Sequence, residues 1–409
     1  MKALVFGVDP GPVSVPAKAN RLQQHLASTP MNVQDVPDPE LRGDDWLVLR
    51  TRLCGICGSD SKQVLMDFDD SADNVMTALI SFPQVLGHEV VATVEAAGDA
   101  VDDVAVGDRV VLYPSLGCGP RGFDPPCPAC AAGDFTLCHR FTEGALAPGI
   151  HTGNSSDATG GFAELLPAHR SMVVPVPDAV PDEVAVLADP FSVSLHAVTR
   201  NPPPPGGRVV VYGAGALGSS AIAVLRALYP SVDVVAVARW AAQRSLAVEL
   251  GADLTSNDDP DVVVEEVAAW SSGVLHQPWE GLPFAHPGGV DVVYDTIGSP
   301  ESVEVGIRVL AERGTLVQLG VSSPGRFEWT PWYFKELRLV GSNAFGIEEV
   351  EGRRAHAMEH YLDLVTSGRV DLSGMLTHTF ALDDWRAAFD ALATQGSSGA
   401  IKVAFDHRG

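Results

Sequence analysis

A chain of 409 residues is long enough for two domains, each with its own core. With 46% apolar and 19% charged residues it falls outside the disordered, collagenous and coiled-coil classes. The 52 acidic residues outnumber 27 basic ones, and the resulting formal charge of −25 repels nucleic acid and anionic membranes, so neither is an expected partner. The start, MKALVFGVDPGP, carries no apolar run of signal-peptide length. No stretch long enough to span a membrane is free of charges or turn residues. The expectation is a soluble, cytoplasmic protein.

The first part of the chain reads as short strands between turns: WLVLRTRLCGIC, EVVATVEAAG, GDRVVLYP and SMVVPVP. This predicts a β-rich domain over residues 1–178. The segments GPVSVPAKANRLQQHLASTP and Ser61 to Leu86, the latter with the acidic run MDFDDSADN, read as insertions. Cys57 in CGICGSD and His88-Glu89 are single soft or borderline donors, and spacing alone does not select them as a pair. Cys118, Cys127, Cys130 and Cys138 lie together in GCGPRGFDPPCPACAAGDFTLC, inside a lobe at about 115–140. Four thiolates in one loop can close a tetrahedral structural zinc site. A redox disulfide or a nucleic-acid-binding ribbon are the competing readings. The expected compartment argues against the first and the acidic charge against the second.

Near residue 180 the texture changes. Helical DEVAVLADPFSVSLHAV leads, through the stiff Asn201-Pro-Pro-Pro-Pro-Gly-Gly207 connector, into the strand runs RVVVYG, VDVVAVA, VDVVYDT, GTLVQLG and LRLVGSN. Strands alternating with helices predict a doubly wound parallel sheet over 179–345. The run 273–289, GVLHQPWEGLPFAHPGG, reads as a loop insertion. RRAHAMEHYLDLVTSG then reads as a helix, and HTFAL and GAIKVAF as strands of a segment, 346–409, that returns to the first domain.

Gly213-Ala214-Gly215-Ala216-Leu217-Gly218 joins a β-run to a helical run. Gly213 permits a tight turn, Gly215 a close approach of backbone to a pyrophosphate, and Gly218 close packing of helix on strand. Strand, glycines and helix together predict a dinucleotide site. An NAD site usually carries Asp or Glu about 20 residues past the last glycine, to hold the ribose 2′-hydroxyl. Here that place reads Ala238-Arg239. The missing carboxylate and Arg239 favour NADP over NAD, with Arg244 as a second cation for a 2′-phosphate.

GICGSD, then GHE, then the four-cysteine lobe, then the glycine motif, in that order, resembles the zinc-containing medium-chain dehydrogenase/reductases, which include alcohol, sorbitol and threonine dehydrogenases. The resemblance covers nearly the whole chain. It implies a GroES-like β-rich catalytic domain beside a Rossmann domain, and hydride transfer between an alcohol and NAD(P). It also implies two zinc ions per chain and a homodimer or homotetramer. Cys57 resembles the catalytic thiolate ligand, His88 the imidazole ligand, and Glu89 a carboxylate able to move onto the metal. Asp189-Pro190 stands where the family has Glu-Pro, so Asp189 is the expected third ligand, with a helix-capping role as its alternative. Ser59 matches the hydroxyl that relays the substrate proton, and Asp60 the carboxylate that orients the ligating histidine. Cys54 is expected to be a core cysteine. Lys62 departs from the family, which often has His there. Two other readings stay open: a zinc-free quinone-type NADPH reductase of the same superfamily, and a non-catalytic cofactor-binding relative.

Overall fold

The computed structural model describes residues 1–11, 13, 18–65, 75–323 and 325–409. The acidic run MDFDDSADN, at 66–74, lies outside the described residues. The chain divides into two compact units. One comprises Met1–Asp189, Ala355–Thr366 and Leu376–Gly409, the other Pro190–Arg354 and Ser367–Met375.

The first unit is built on a sheet in the order Leu376–Phe380, Lys402–Asp406, Trp46–Gly55, Glu89–Ala97, Arg109–Leu112, Val173–Pro175. Leu165–His169 pairs with the first half of Trp46–Gly55. That long strand is covered nearly throughout, so WLVLRTRLCG reads as a mostly apolar run without strict alternation. Leu47, Leu49, Val90, Phe162, Leu166 and Phe405 form its core. The helix Trp385–Ala393 buries Trp385, Ala388 and Phe389, one apolar stripe, on the same core. Residues 11–30, read as an insertion, include a helix, Arg21–Ser28, closed by a capping box between Asn20 and Gln23.

The first unit's opening segment runs to Asp189, and a cluster of ion pairs lies near its end. Buried Asp182 draws in Arg52 (2.8 Å), Arg109 (3.0 Å) and Arg408 (3.3 Å), all from the β-rich unit. Burial opposes the Asp182 charge, but the two nearer guanidinium groups outweigh it and hold the carboxyl below the usual range.

The second unit is a six-stranded parallel sheet in the order Leu254–Ser256, Asp233–Val237, Arg208–Tyr212, Val290–Asp295, Leu310–Gln318, Arg338–Gly341. Val209, Val210 and Val211 are fully buried, as a central parallel strand requires. Its helices start on local signals: Asp259 caps Pro260–Trp270, and Ser299 caps Pro300–Val309, each with proline in the first turn. The 273–289 segment is not a plain loop but carries a small hairpin, Leu275–His276 against Phe284–Ala285. The helix read from Arg353 begins at Ala357; Glu351 and Gly352, both left-handed, turn the chain into a strand at Arg353–His356 first.

Candidate active site

The register between Trp46–Gly55 and Glu89–Ala97 sets up a cluster. Gly55 faces Glu89 and Cys54 faces Val90, so Cys57 and His88 leave the same end of the ladder. Gly87 makes the approach possible: its φ is +90°, and a Cβ there would lie 2.4 Å from Phe162. Ligand atoms of Cys57, His88 and Glu89 all lie within 4.8 Å of one another. Cys57 also caps the helix Gly58–Val64, donating its backbone N–H to Asp60 Oδ2 at 2.9 Å. The other Asp60 oxygen is 3.8 Å from His88 Nδ1, too long for a hydrogen bond but close enough to act on its charge. Burial disfavours the His88 imidazolium. The Cys57 and Asp60 charges prevail and raise its pKa well above the usual value.

Asp189 lies in the first turn of Ala188–Arg200 and is buried. Burial lifts its carboxyl to about 7 against the opposing pull of His88. It is a neighbour of the cluster in electrostatic terms, but the close set of three does not include it. Ser59 is exposed on the Gly58–Val64 helix, and Lys62 is half-buried one turn on. Cys54 is wholly buried with its thiol pushed well up by burial, as a core cysteine should be.

Two residues of this region escaped the sequence reading. Lys402, 2% exposed, ion-pairs with Glu89 and donates to Ile56 O at 3.0 Å. Its signal was a lone lysine inside the apolar strand IKVAF. Gly55 leaves room for this pair, since a Cβ there would meet Glu89 Oε2 at 2.2 Å. His151 places its ring 4.6 Å from that of His88, with Nδ1 on Thr152 O at 2.7 Å. Burial and the nearby His88 lower its pKa to about 3, so it is neutral. No local pattern marks it.

Cys118, Cys127, Cys130 and Cys138 are buried free thiols with their sulfurs clustered. Sγ separations are 3.8 Å for Cys118–Cys138 and 3.9 Å for Cys127–Cys138. A tetrahedron with Zn–S bonds of about 2.3 Å has edges of about 3.8 Å, so the donor set fits zinc. Backbone N–H groups of Cys127 and Arg140 point at the Cys118 and Cys138 sulfurs, at 3.2 and 3.4 Å. Arg121, 1% exposed, holds the lobe from within by donating to the carbonyls of Leu116, Glu143, Leu146, Ala147 and Gly149.

In the second unit Gly213 is left-handed, and a Cβ on Gly218 would lie 1.7 Å from Gly213 O. Gly215, at the helix N-cap, has open space where a Cβ would be, a cradle suited to a pyrophosphate. Ala214 is buried, and Ala216 and Leu217 open the helix beneath it. Arg239, at the end of Asp233–Val237, donates to Asp258 at 2.5 Å. Arg244 donates to Ala238 O and Arg239 O at 2.7 and 2.8 Å, bracing the same strand end.

Residues 43–178 match the alcohol dehydrogenase GroES-like domain, and residues 216–360 match the zinc-binding dehydrogenase domain. D-arabinitol dehydrogenase 1 of Uromyces fabae is 28% identical over 364 residues, 88% of this chain and 90% of its own. The protein named probable D-xylulose reductase A in Aspergillus terreus is 30% identical over 358 residues, 87% of this chain and 90% of its own. A Sinorhizobium meliloti 1021 protein assigned as a zinc-binding dehydrogenase, solved bound to NADP, superposes with a TM-score of 0.70 at 28% identity over 99% of both chains. The chain belongs to the zinc-containing medium-chain dehydrogenase/reductases. It is an NAD(P)-dependent oxidoreductase of the alcohol dehydrogenase class. Among the described residues no helix is long and apolar enough to cross a membrane.

Proposed function

We propose that this chain is a zinc-dependent dehydrogenase that moves hydride between a secondary alcohol or polyol and NADP, with NAD the less favoured cofactor. The convergence of Cys57, His88 and Glu89 carries the reading: Cys57 and His88 supply two donors, one carboxylate, Asp189 or Glu89, would supply the third, and a fourth position stays open. Asp189, with a shorter side chain than the glutamate it replaces and outside the close set of three, would reach the metal directly or through a water. The polyol class draws support from the relatives, which are named for arabinitol and xylulose chemistry. The first unit would carry the chemistry and the second would hold the cofactor. A second zinc would sit in the four-cysteine lobe.

When bound at the open site, zinc supplies Lewis acidity that lowers the pKa of an alcohol oxygen. The remaining work falls to side chains. Asp60 restrains the Cys57 turn by a hydrogen bond and acts on His88 through its charge. Lys402 holds Glu89 back, so that carboxylate reaches the metal only by leaving its ion pair. Ser59 Oγ would relay the alcohol proton, accepting it as its own hydroxyl proton passes to water, to which its exposure gives access. The Gly215 cradle receives the pyrophosphate, and Arg239 with Arg244 receives a 2′-phosphate.

The six free thiols suit the cytoplasm. A homodimer or homotetramer draws support from the outer edge of Arg338–Gly341, which pairs with no further strand among the described residues, and from exposed Trp329 and Tyr333 just before it in the chain; light scattering would give the mass. Zinc content tests the main reading. Wild type should hold about two ions, and Cys57→Ala about one with activity on polyols abolished. A single zinc in both proteins would refute it and favour the zinc-free reductase or the non-catalytic relative.

A further inference from the structure

Two neighbouring strands of the second unit release their chains side by side. Val237 pairs with Ser256 in parallel register, and Ala238 N extends the ladder to Ser256 O at 2.9 Å. Arg239 and Asp258 each follow two residues past those partners, and their side chains meet at 2.5 Å. Asp258 has no part in starting the next helix. Asp259 does that, accepting from Val262 N at 3.2 Å, while Asn257 Oδ1 takes the Asp259 N–H at 2.9 Å. The backbone under Arg239 is braced by Arg244, so the freedom left belongs to the exposed Arg239 side chain.

We propose that Asp258 sets the cofactor preference of this site, through two effects of one carboxylate. It competes with a 2′-phosphate for the Arg239 guanidinium and repels that phosphate. It also restores, from the adjoining strand, the acceptor for a ribose 2′-hydroxyl that Ala238-Arg239 lacks. The inference rests on the reading of Arg239 as the 2′-phosphate partner. The pair is solvent-exposed, its side chains 61% and 30% accessible, and so weak. A doubly charged phosphate displaces the carboxylate readily, and NADP binding opens the pair. With NAD the pair stays closed and Asp258 turns its second oxygen to the ribose. The outcome is a site of modest discrimination, tunable at a residue outside the glycine motif and the strand that follows it.

The test is direct titration of the zinc-loaded enzyme with NADPH and with NADH, by calorimetry or by quenching of tryptophan fluorescence. Trp240, beside Arg239, is a local reporter. Asp258→Asn should tighten NADPH about two- to fivefold, the factor matching an exposed ion pair, and weaken NADH by a similar factor. Asp258→Ser should move NADPH in the same direction. Arg239→Gln should weaken NADPH, and adding Asp258→Asn to Arg239→Gln should give a smaller NADPH gain than Asp258→Asn gives in wild type, because only the direct repulsion is then relieved. If Asp258→Asn leaves both affinities unchanged while Arg239→Gln weakens NADPH, the role given to Asp258 is overturned and the NADP reading stands. If Arg239→Gln leaves NADPH binding intact, the NADP reading itself has failed and takes this inference with it.

Discussion

Replacing Lys402 by methionine keeps the length and the apolar stem of the side chain and removes only the charge. Glu89, 1% exposed, would then hold a buried carboxylate without its cation. Breaking a buried pair from one side costs about 3–5 kcal/mol, and the Ile56 carbonyl loses a charged donor besides. At an m-value of about 3 kcal/mol/M this is a drop of about 1–2 M in the urea midpoint. The assay is urea unfolding followed by far-UV circular dichroism at fixed free zinc. Lys402→Met with Glu89→Gln should recover much of the loss, because a neutral amide no longer needs the cation. A single variant within about 1 kcal/mol of wild type, or a double variant no better than the single, would refute the account of Lys402 as the counter-charge of Glu89.

Asp182→Asn should cost about 2–3 kcal/mol at neutral pH, since three arginines lose their common carboxylate. The Asp182 pKa is depressed in the folded state, so its contribution is present above the unfolded value near 3.9 and is lost as pH falls through the folded one; the gap between variant and wild type should close in acid unfolding curves. Arg121→Met removes the donor of five carbonyls and should speed the release of one zinc to a chelator, leaving the other in place. Gly218→Ala drives a Cβ into Gly213 O and should abolish NADPH binding at unchanged zinc content; NADPH affinity within twofold of wild type would contradict the glycine's packing role.

What the sequence disclosed was what lies close along the chain. The Gly213–Gly218 turn, the cysteine lobe and the Val-rich strands each declare themselves within a score of residues, because turn geometry, ligand spacing and burial act locally. Lys402 and Glu89 meet only through a ladder that joins distant segments, and no window of sequence contains both. Asp258 was hidden for the same reason: its strand, Leu254–Ser256, is three residues long and too short to show a period. Cys57, His88 and Glu89 were selected by resemblance and not by spacing, and the antiparallel register explains why spacing was silent. The Asp182 cluster was likewise silent, because its three arginines are scattered across the first unit.

The strand Lys402–Asp406 lies against Trp46–Gly55 and delivers the partner of Glu89, and 346 residues separate Ile56 from Lys402. At ordinary translation speeds of about 5–20 residues per second, a nascent chain waits roughly 17–70 s between making the two. The Pro190–Arg354 unit is almost continuous in sequence and is complete before Lys402 is made. During that interval Glu89 has no cation, the sheet ends on an unpaired edge, and Cys57 and His88 stand beside it. If the Trp46–Gly55 ladder forms on the nascent chain, a wrong metal, an oxidant or a neighbouring edge strand can reach this cluster until the returning strand docks.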